Sequence, residues 1–299
     1  MLIDPKKVSV SDFHKLLLGT VAPRPIAFAS TIDKQGNVNL SPFSFFNTFS
    51  ANPPILIFSP SRRVRDNTIK HTLENVYEVD EVVINIVNYD LVQQASLAST
   101  EYDKGVNEFI KSGLTQAPSV MVKPPRVAEA PASFECKVLQ IMPLGKEKGA
   151  GNLIICEVLL AHCKEEFFDN DGKIDPHKID LVARMGEDYY CRASGGAIFE
   201  VEKPLQRKGI GVDAIPFEIR NSKVLTGNDL GRLGNIEKLP ERSESEAIKN
   251  NPVVQKIISV YNKDKKKDVT IHELHLLAKR MLEEGKVEEA WKVLLIELK

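Results

Sequence analysis

The stretch from Val21 to Asn47, VAPRPIAFASTIDKQGNVNLSPFSFFN, constrains the chain more than any other. Pro23, Arg24 and Pro25 open it stiffly, Ile26 to Thr31 run apolar and β-compatible, and Asp33-Lys34-Gln35-Gly36-Asn37 supply turn chemistry. A second strand is expected from Val38. On this return path Asn39, Ser41, Ser44 and Asn47 are interleaved with Leu40, Pro42, Phe43, Phe45 and Phe46, a pattern suited to a strand that receives a ligand.

The segments around the hairpin point to more strands and only short helices. Ser9 to Leu18 has helical spacing with Ser9 or Ser11 as cap, and Ile55 to Ser59 is a short buried strand between Asn52-Pro53-Pro54 and Pro60. Glu81 to Asn88, EVVINIVN, is β-branched and apolar on both faces at its centre, which places it inside a sheet. Leu91 to Ala98 and Val106 to Lys111 have helical spacing, the second stopped by Gly113. Ser133 to Ile141 and Leu153 to Cys163 predict a long antiparallel hairpin. Strands do not alternate regularly with long helices, so a barrel is favoured over a doubly wound parallel sheet.

Between the third strand and the next helix the character changes. Ser61-Arg62-Arg63-Val64-Arg65-Asp66-Asn67-Thr68 leads into Ile69-Lys70-His71-Thr72-Leu73-Glu74-Asn75-Val76, a basic loop running into a helix with Ile69, Leu73 and Val76 on one side. Free N–H groups at a helix start, hydroxyls and guanidiniums suit a phosphate. A capped surface helix behind a solvated basic loop explains the same residues.

The net charge is −1, so no global attraction to nucleic acid or anionic lipid is expected. No apolar run approaches the ~20 residues that span a bilayer. Cys136, Cys156, Cys163 and Cys191 lack metal-ligand spacing, and the N-terminus lacks a secretory h-region, which together predict a reduced, cytoplasmic setting without a metal site.

PRPIAFAST, NLSPFSFFN, KHTLENV and EVVINIVN, in this order and spacing, resemble the flavin reductase-like family with an FMN-binding split β-barrel, over roughly Val10 to Arg192. The resemblance implies a mainly β fold with flanking helices, FMN as cofactor, and a flavin ring beside Asn39, Ser41, Pro42, Phe43 and Ser44. It implies that the phosphate end meets Ser59, Arg62, Arg63, Lys70 and Thr72, with Asn67 and Thr68 as candidates. The family often has Lys-Asp-Thr where this chain has Lys70-His71-Thr72, and Arg65-Asp66-Asn67-Thr68 precedes it, so Thr68 and Thr72 both remain candidates. His71 is a phosphate ligand or a surface residue, the second being the reading favoured for a lone histidine. The implied activity is transfer of hydride or electrons from a donor, NADH, NADPH or a redox protein, through FMN to an acceptor. A flavoenzyme with its own organic substrate, and a non-enzymatic FMN-binding or flavodoxin-like electron-carrier module with an interaction tail, are the alternatives. Flavin carries the chemistry, so no catalytic residue is nominated. Split barrels of this family pair, which implies a homodimer, and Arg184 to Tyr190 resembles an element near the flavin or the dimer seam.

Two motifs are decoys. Asp169-Asn170-Asp171-Gly172 is explained by a hairpin turn, and Gly209-Ile210-Gly211-Val212-Asp213-Ala214 meets Pro216 where a dinucleotide-binding helix has to begin. The expected organisation is a split-barrel domain over 1–195, an extension of strand-like pieces and Gly-rich turns packed on it over 196–240, and a helical segment over 241–299. In the last, helices are expected over Pro252–Tyr261, Ile271–Glu283 and Val287–Leu298, the second opened by a Thr270/Glu273 capping box. Asn262, Asp264, Asp268 and Glu273 match calcium-loop positions, but Lys266 and Lys267 replace a ligand and the glycine.

Overall fold

Strands β1 (Ala27–Ile32) and β2 (Val38–Phe43) pair antiparallel, Ala27 opposite Phe43 and Ile32 opposite Val38. Their turn forms because Asp33 Oδ1 accepts from the N–H groups of Gln35 (2.9 Å) and Asn37 (2.8 Å), while Gly36 takes a φ of 86° that a side chain disfavours. The expected return path then divides. β2 stops at Phe43, and after Ser44 and Phe45 the chain starts β3 (Phe46–Ala51), which pairs with β4 (Pro54–Phe58).

A computed structural model describes residues 1–205, 208–264 and 267–298, which group into two compact units divided after Phe199. In the first unit, β5 (Glu81–Ile86) and the long hairpin β8 (Ala132–Pro143) and β9 (Asn152–Cys163) complete a seven-stranded antiparallel sheet of order β2-β1-β5-β8-β9-β4-β3. The short strands β6 (Gln116–Ala117) and β7 (Arg126–Val127) form a separate pair. Thus β2 and β3 lie at opposite edges of the large sheet. Laid flat, those edges would stand on the order of 30 Å apart. Ser44 and Phe45 reach only about 7 Å fully extended. The sheet has to curl until its edges meet, which makes the expected barrel.

β1 is buried along its whole length. Its alternating side chains supply two clusters: Phe28 with Leu40, Val87, Leu91 and Phe109 on one face, and Ala27 and Ala29 with Phe43, Phe58, Leu73, Val76 and Ile84 on the other. Each large apolar side chain buried this way contributes about 1.5–3 kcal/mol before entropy is counted.

Helices flank the barrel. α1 (Val10–Thr20) is N-capped by Ser9, which accepts from Asp12 N, yet none of its residues is buried. Arg24 secures its end by donating to Leu18 O (2.7 Å) and Val21 O (2.6 Å), and through Nη2 to Met185 O (2.7 Å). α2 (His71–Glu78) buries Leu73 and Val76 as the sequence predicts, and α3 (Val92–Leu97) and α4 (Glu108–Ser112) follow β5. Gly113 ends α4 in the left-handed conformation expected of it, φ 64°. α5 (Pro176–Ile179) then precedes the hairpin β10 (Val182–Arg184) and β11 (Tyr190–Arg192). Asp169 Oδ1 accepts from Asp171 N and Lys173 N, the hairpin turn anticipated there.

The second unit contains α6 (Phe217–Arg220), α7 (Gly227–Gly234), α8 (Arg242–Ala247), α9 (Pro252–Asp264), α10 (Lys267–Glu283) and α11 (Val287–Leu294). Ile215, Ile219, Leu225 and Leu233 share one core with Val254, Leu274, Leu282 and Trp291, so residues 208–239 and the helices after Glu241 are packed as one body. Three sequence expectations fail here. Among the described residues of 196–240 no strand forms, the regular structure being helical. The predicted turn over 225–231 is helix α7, because Thr226 and Asp229 form a reciprocal capping box that outweighs the glycines. The Thr270/Glu273 box does not open α10, which starts a turn earlier with Asp268 favourably placed in its first turn. Of the calcium-like positions, Lys266 lies outside the described residues, while Asp268 and Glu273 are helical.

Candidate functional site

The basic loop between β4 and α2 is held by its own side chains. Arg62 donates through Nε to Asn67 Oδ1 (2.8 Å) and through Nη2 to Asn67 O (2.7 Å). Asn67 adopts a left-handed φ of 64°, which its short polar side chain tolerates, and donates to Lys146 O (3.1 Å). Arg63 Nη1 donates to Thr68 Oγ1 (2.8 Å) and Ile69 O (2.6 Å). These bonds fix the loop and leave one edge of the Arg63 fork pointing elsewhere.

That edge meets Glu101. Arg63 Nε lies 2.8 Å and Lys70 Nζ 3.4 Å from Glu101 Oε1, and Arg65 Nη2 lies 2.7 Å from Oε2. The hydrogen bond from Arg63, with the nearby charge of Lys70, holds the Glu101 carboxyl below the usual glutamate range despite partial desolvation. α2 begins at the same place, and its N-cap residue Lys70 supplies no side-chain acceptor to the first turn. Positive side chains and the positive end of a helix therefore converge on one point.

Behind this point is a buried polar chain. Thr72 Oγ1 donates to Asn39 Oδ1 (2.6 Å), Asn39 Nδ2 donates to Glu108 Oε1 (2.7 Å), and Leu40 N donates to Glu108 Oε2 (3.0 Å). Burial pushes the Glu108 carboxyl up, only partly opposed by the Leu40 and Asn39 donors. Ser41 and His71 share a polar pocket with these groups and with Ser99, Thr100 and Tyr102. Its free volume is about 20 Å³, of the order of one water.

The nominated residues divide by location. Asn39, Ser41, Arg63, Lys70 and Thr72 line this pocket, although the Asn39 and Thr72 side chains are committed to each other. Arg62, Asn67 and Thr68 shape the loop beneath it. Phe43 is a core residue whose ring packs on Phe58 at 5.4 Å, and Pro42 is half-buried on the same strand. Ser44 faces Arg24, whose Nε lies 3.5 Å from its hydroxyl oxygen. Ser59 is buried at the end of β4 and packs so closely on Gly151 that a Cβ there would lie 2.8 Å from its hydroxyl. Tyr189 is exposed, and Tyr190 lies under the Arg184 guanidinium, 4.7 Å from its ring centre.

Sequence reasoning missed Glu101, Glu108 and Ser99 to Tyr102. The polar run after α3 was their one local signal. Among the described residues no cluster is arranged to hold a metal. Burial raises the Cys136 thiol to about 12 and Cys156 well above its ordinary value, so neither is a nucleophile.

The fit of a flavin phosphate rests on this donor set: Arg63 and Lys70 with the open first turn of α2 match a phosphomonoester, whereas the narrow pocket beside them admits no ring system in its present form. Comparison with known proteins gives the family. Residues 19–176 match the family described as flavin reductase like domain. An uncharacterised protein of Aquifex aeolicus is 38% identical over 190 residues, covering 64% of this chain and 94% of that protein. Among solved structures, nitrilotriacetate monooxygenase component B from Bacillus cereus is 29% identical with a TM-score of 0.63, covering 67% of this chain and 98% of that one. A protein with a split barrel domain from Shewanella frigidimarina is 25% identical with a TM-score of 0.57, covering 68% and 99%. The match supports a flavin-linked oxidoreductase and ends before the second unit begins. The barrel unit, and with it the chain, belongs to the flavin reductase-like family, of split β-barrel fold.

Proposed function

We propose that this chain binds FMN and passes hydride or electrons from NADH, NADPH or a redox protein through it to an acceptor. The observation that carries the reading is the convergence of Arg63, Arg65 and Lys70 at the start of α2, beside the edge of β2 that presents Ser41. Arg63 and Lys70 hold the phosphate, with Thr68 keeping the Arg63 fork in position and Arg62 bracing the loop through Asn67. Ser41 and Ser44 border the ring, where hydroxyl donors favour a more electron-rich flavin. Thr72, Asn39 and Glu108 act behind them by fixing β2 against α2 and α4. When bound, FMN supplies the two-electron chemistry, and the protein binds and orients it.

Titration of the purified protein with FMN and riboflavin tests this reading. Arg63→Gln and Lys70→Gln are each expected to weaken FMN by about ten- to a hundredfold, the value of a charge-assisted hydrogen bond, and to leave riboflavin nearly unchanged. Equal losses for both ligands would refute the phosphate assignment. Bleaching of the flavin bands by NADH or NADPH alone identifies a reductase. Bleaching only with a donor protein identifies a carrier, the reading suggested by the fold likeness to the flavoredoxin of Desulfovibrio vulgaris, at 19% identity and a TM-score of 0.51.

The barrel is also proposed to form a homodimer. Phe45 and Phe49 stand exposed at and near the β3 edge, a costly arrangement for a free surface. Light scattering that gives a monomer retaining FMN would remove this proposal. A cytoplasmic setting is proposed from the four free cysteines, and no helix among the described residues is long and apolar enough to cross a membrane.

A further inference from the structure

Three cations meet on one carboxylate at the place assigned to the phosphate. Arg63 Nη1 is already engaged by Thr68 Oγ1 and Ile69 O, and its Nε points at Glu101 Oε1. Lys70 Nζ has the same oxygen as its acceptor, and Arg65 Nη2 holds the other. A phosphate oxygen and Glu101 Oε1 therefore need the same two donors, from the same direction. A dianion and a carboxylate at hydrogen-bonding distance from one another repel, so both cannot stay. Glu101 has somewhere to go: its side chain is 35% exposed, and it sits in the loop between α3 and α4. Arg63 is held more firmly, because its Nη1 is tied to Thr68 Oγ1 and Ile69 O, and its side chain is only 13% exposed.

We propose that Glu101 sets, by lowering it, the FMN selectivity of this site: its carboxylate occupies the phosphate seat as an internal anion and is displaced when a flavin bearing a phosphomonoester binds. The inference rests on the FMN reading above and extends it to selectivity. A neutral riboflavin offers nothing to replace the Glu101 ion pairs and leaves them intact. FMN gains the phosphate contacts less the contacts that Glu101 gives up. The FMN-over-riboflavin preference of the native protein is thus smaller than the basic cluster alone would produce.

Fluorescence titration of the full chain with FMN and with riboflavin tests this in three proteins, wild type, Glu101→Gln and Lys70→Gln. Glu101→Gln is expected to tighten FMN by about tenfold, in keeping with release of two or three partly exposed ion pairs, and to change riboflavin by less than about twofold. Unchanged or weakened FMN binding in Glu101→Gln overturns the inference, since the carboxylate would then be a bystander or a support for the cations. Lys70→Gln separates the two levels of the argument. If it lowers the FMN preference while Glu101→Gln has no effect, only the role of Glu101 fails. If it leaves the preference untouched, the phosphate seat itself is wrong and the inference falls with it.

Discussion

Two buried glutamates of the barrel unit have their carboxyl pKa values shifted in opposite directions, and hydrogen-bond supply explains why. Burial opposes ionisation of both. Around Glu135, N–H groups of Val120 (2.9 Å), Met121 (2.5 Å) and Val122 (3.2 Å), with His162 Nε2 at 2.6 Å, outweigh burial and hold the carboxyl below its ordinary range. Glu108 has fewer donors, and burial wins. Because the folded pKa of Glu135 is depressed, its stabilisation is present above the ordinary glutamate pKa and is lost as pH falls through the folded value. Urea unfolding should therefore show wild type losing more stability than Glu135→Gln between about pH 6 and pH 3, with the variant on the order of 2 kcal/mol less stable at neutral pH. The raised Glu108 reverses the sign: its contribution is full below the ordinary pKa and is lost as pH rises through the folded value. Glu108→Gln should flatten the fall in stability from about pH 5 to pH 7, and an unaltered slope would exclude Glu108 as its source. Neither glutamate was legible as a site residue in the sequence. Arg63 and Lys70 could be nominated from the sequence because a basic loop entering a helix is a local pattern. Glu101 reaches Arg63 across 38 positions and Glu108 reaches Asn39 across 69, and no spacing rule encodes either meeting.

Elements were most legible where side-chain chemistry and periodicity agreed. The β1–β2 turn formed as read because Asp33 and Gly36 answer the two needs of that turn, an acceptor for loose N–H groups and a positive φ. β5 is interior because its apolar residues serve two faces. Errors arose where one local signal masked another. Over 225–231 the glycines suggested turns, yet Thr226 Oγ1 accepts from Asp229 N (3.3 Å) and Asp229 Oδ2 accepts from Thr226 N (2.8 Å), a reciprocal cap that starts α7. At α10 the same pairing, Thr270 with Glu273, lies inside the helix. A threonine followed three residues later by an acid marks a helix start only when the preceding residues cannot themselves be helical. Thr226→Ala is accordingly expected to cost about 1 kcal/mol and to speed amide exchange across α7. Thr226→Ser should retain the cap. Equal exchange rates in wild type and Thr226→Ala would show that packing of Leu233, and not the cap, starts the helix.

At the scale of the whole molecule, the barrel follows from topology and the second unit from composition. Two residues between strands at opposite sheet edges leave a closed sheet as the physical solution. No single strand pattern shows this, because closure is a property of strand order. In the second unit the core is drawn from α6, α7, α9, α10 and α11, with Trp291 fully buried and its Nε1 donating to Leu233 O (3.0 Å). Trp291 is the one tryptophan in the chain, so its fluorescence reports on that core alone. FMN retention and the β-sheet signal in circular dichroism report on the barrel. Each unit owns a separate apolar core, and unfolding is cooperative within a core rather than along a chain. In a urea titration the tryptophan transition is expected at a different midpoint from that of the β-sheet signal. Saturating FMN should move the β-sheet midpoint upward, by about 2.7 kcal/mol of added stability at a hundredfold excess over Kd, and leave the tryptophan midpoint in place. If both midpoints coincide and move together with FMN, the two cores unfold as one thermodynamic unit. The second unit then contributes directly to the stability of the flavin site.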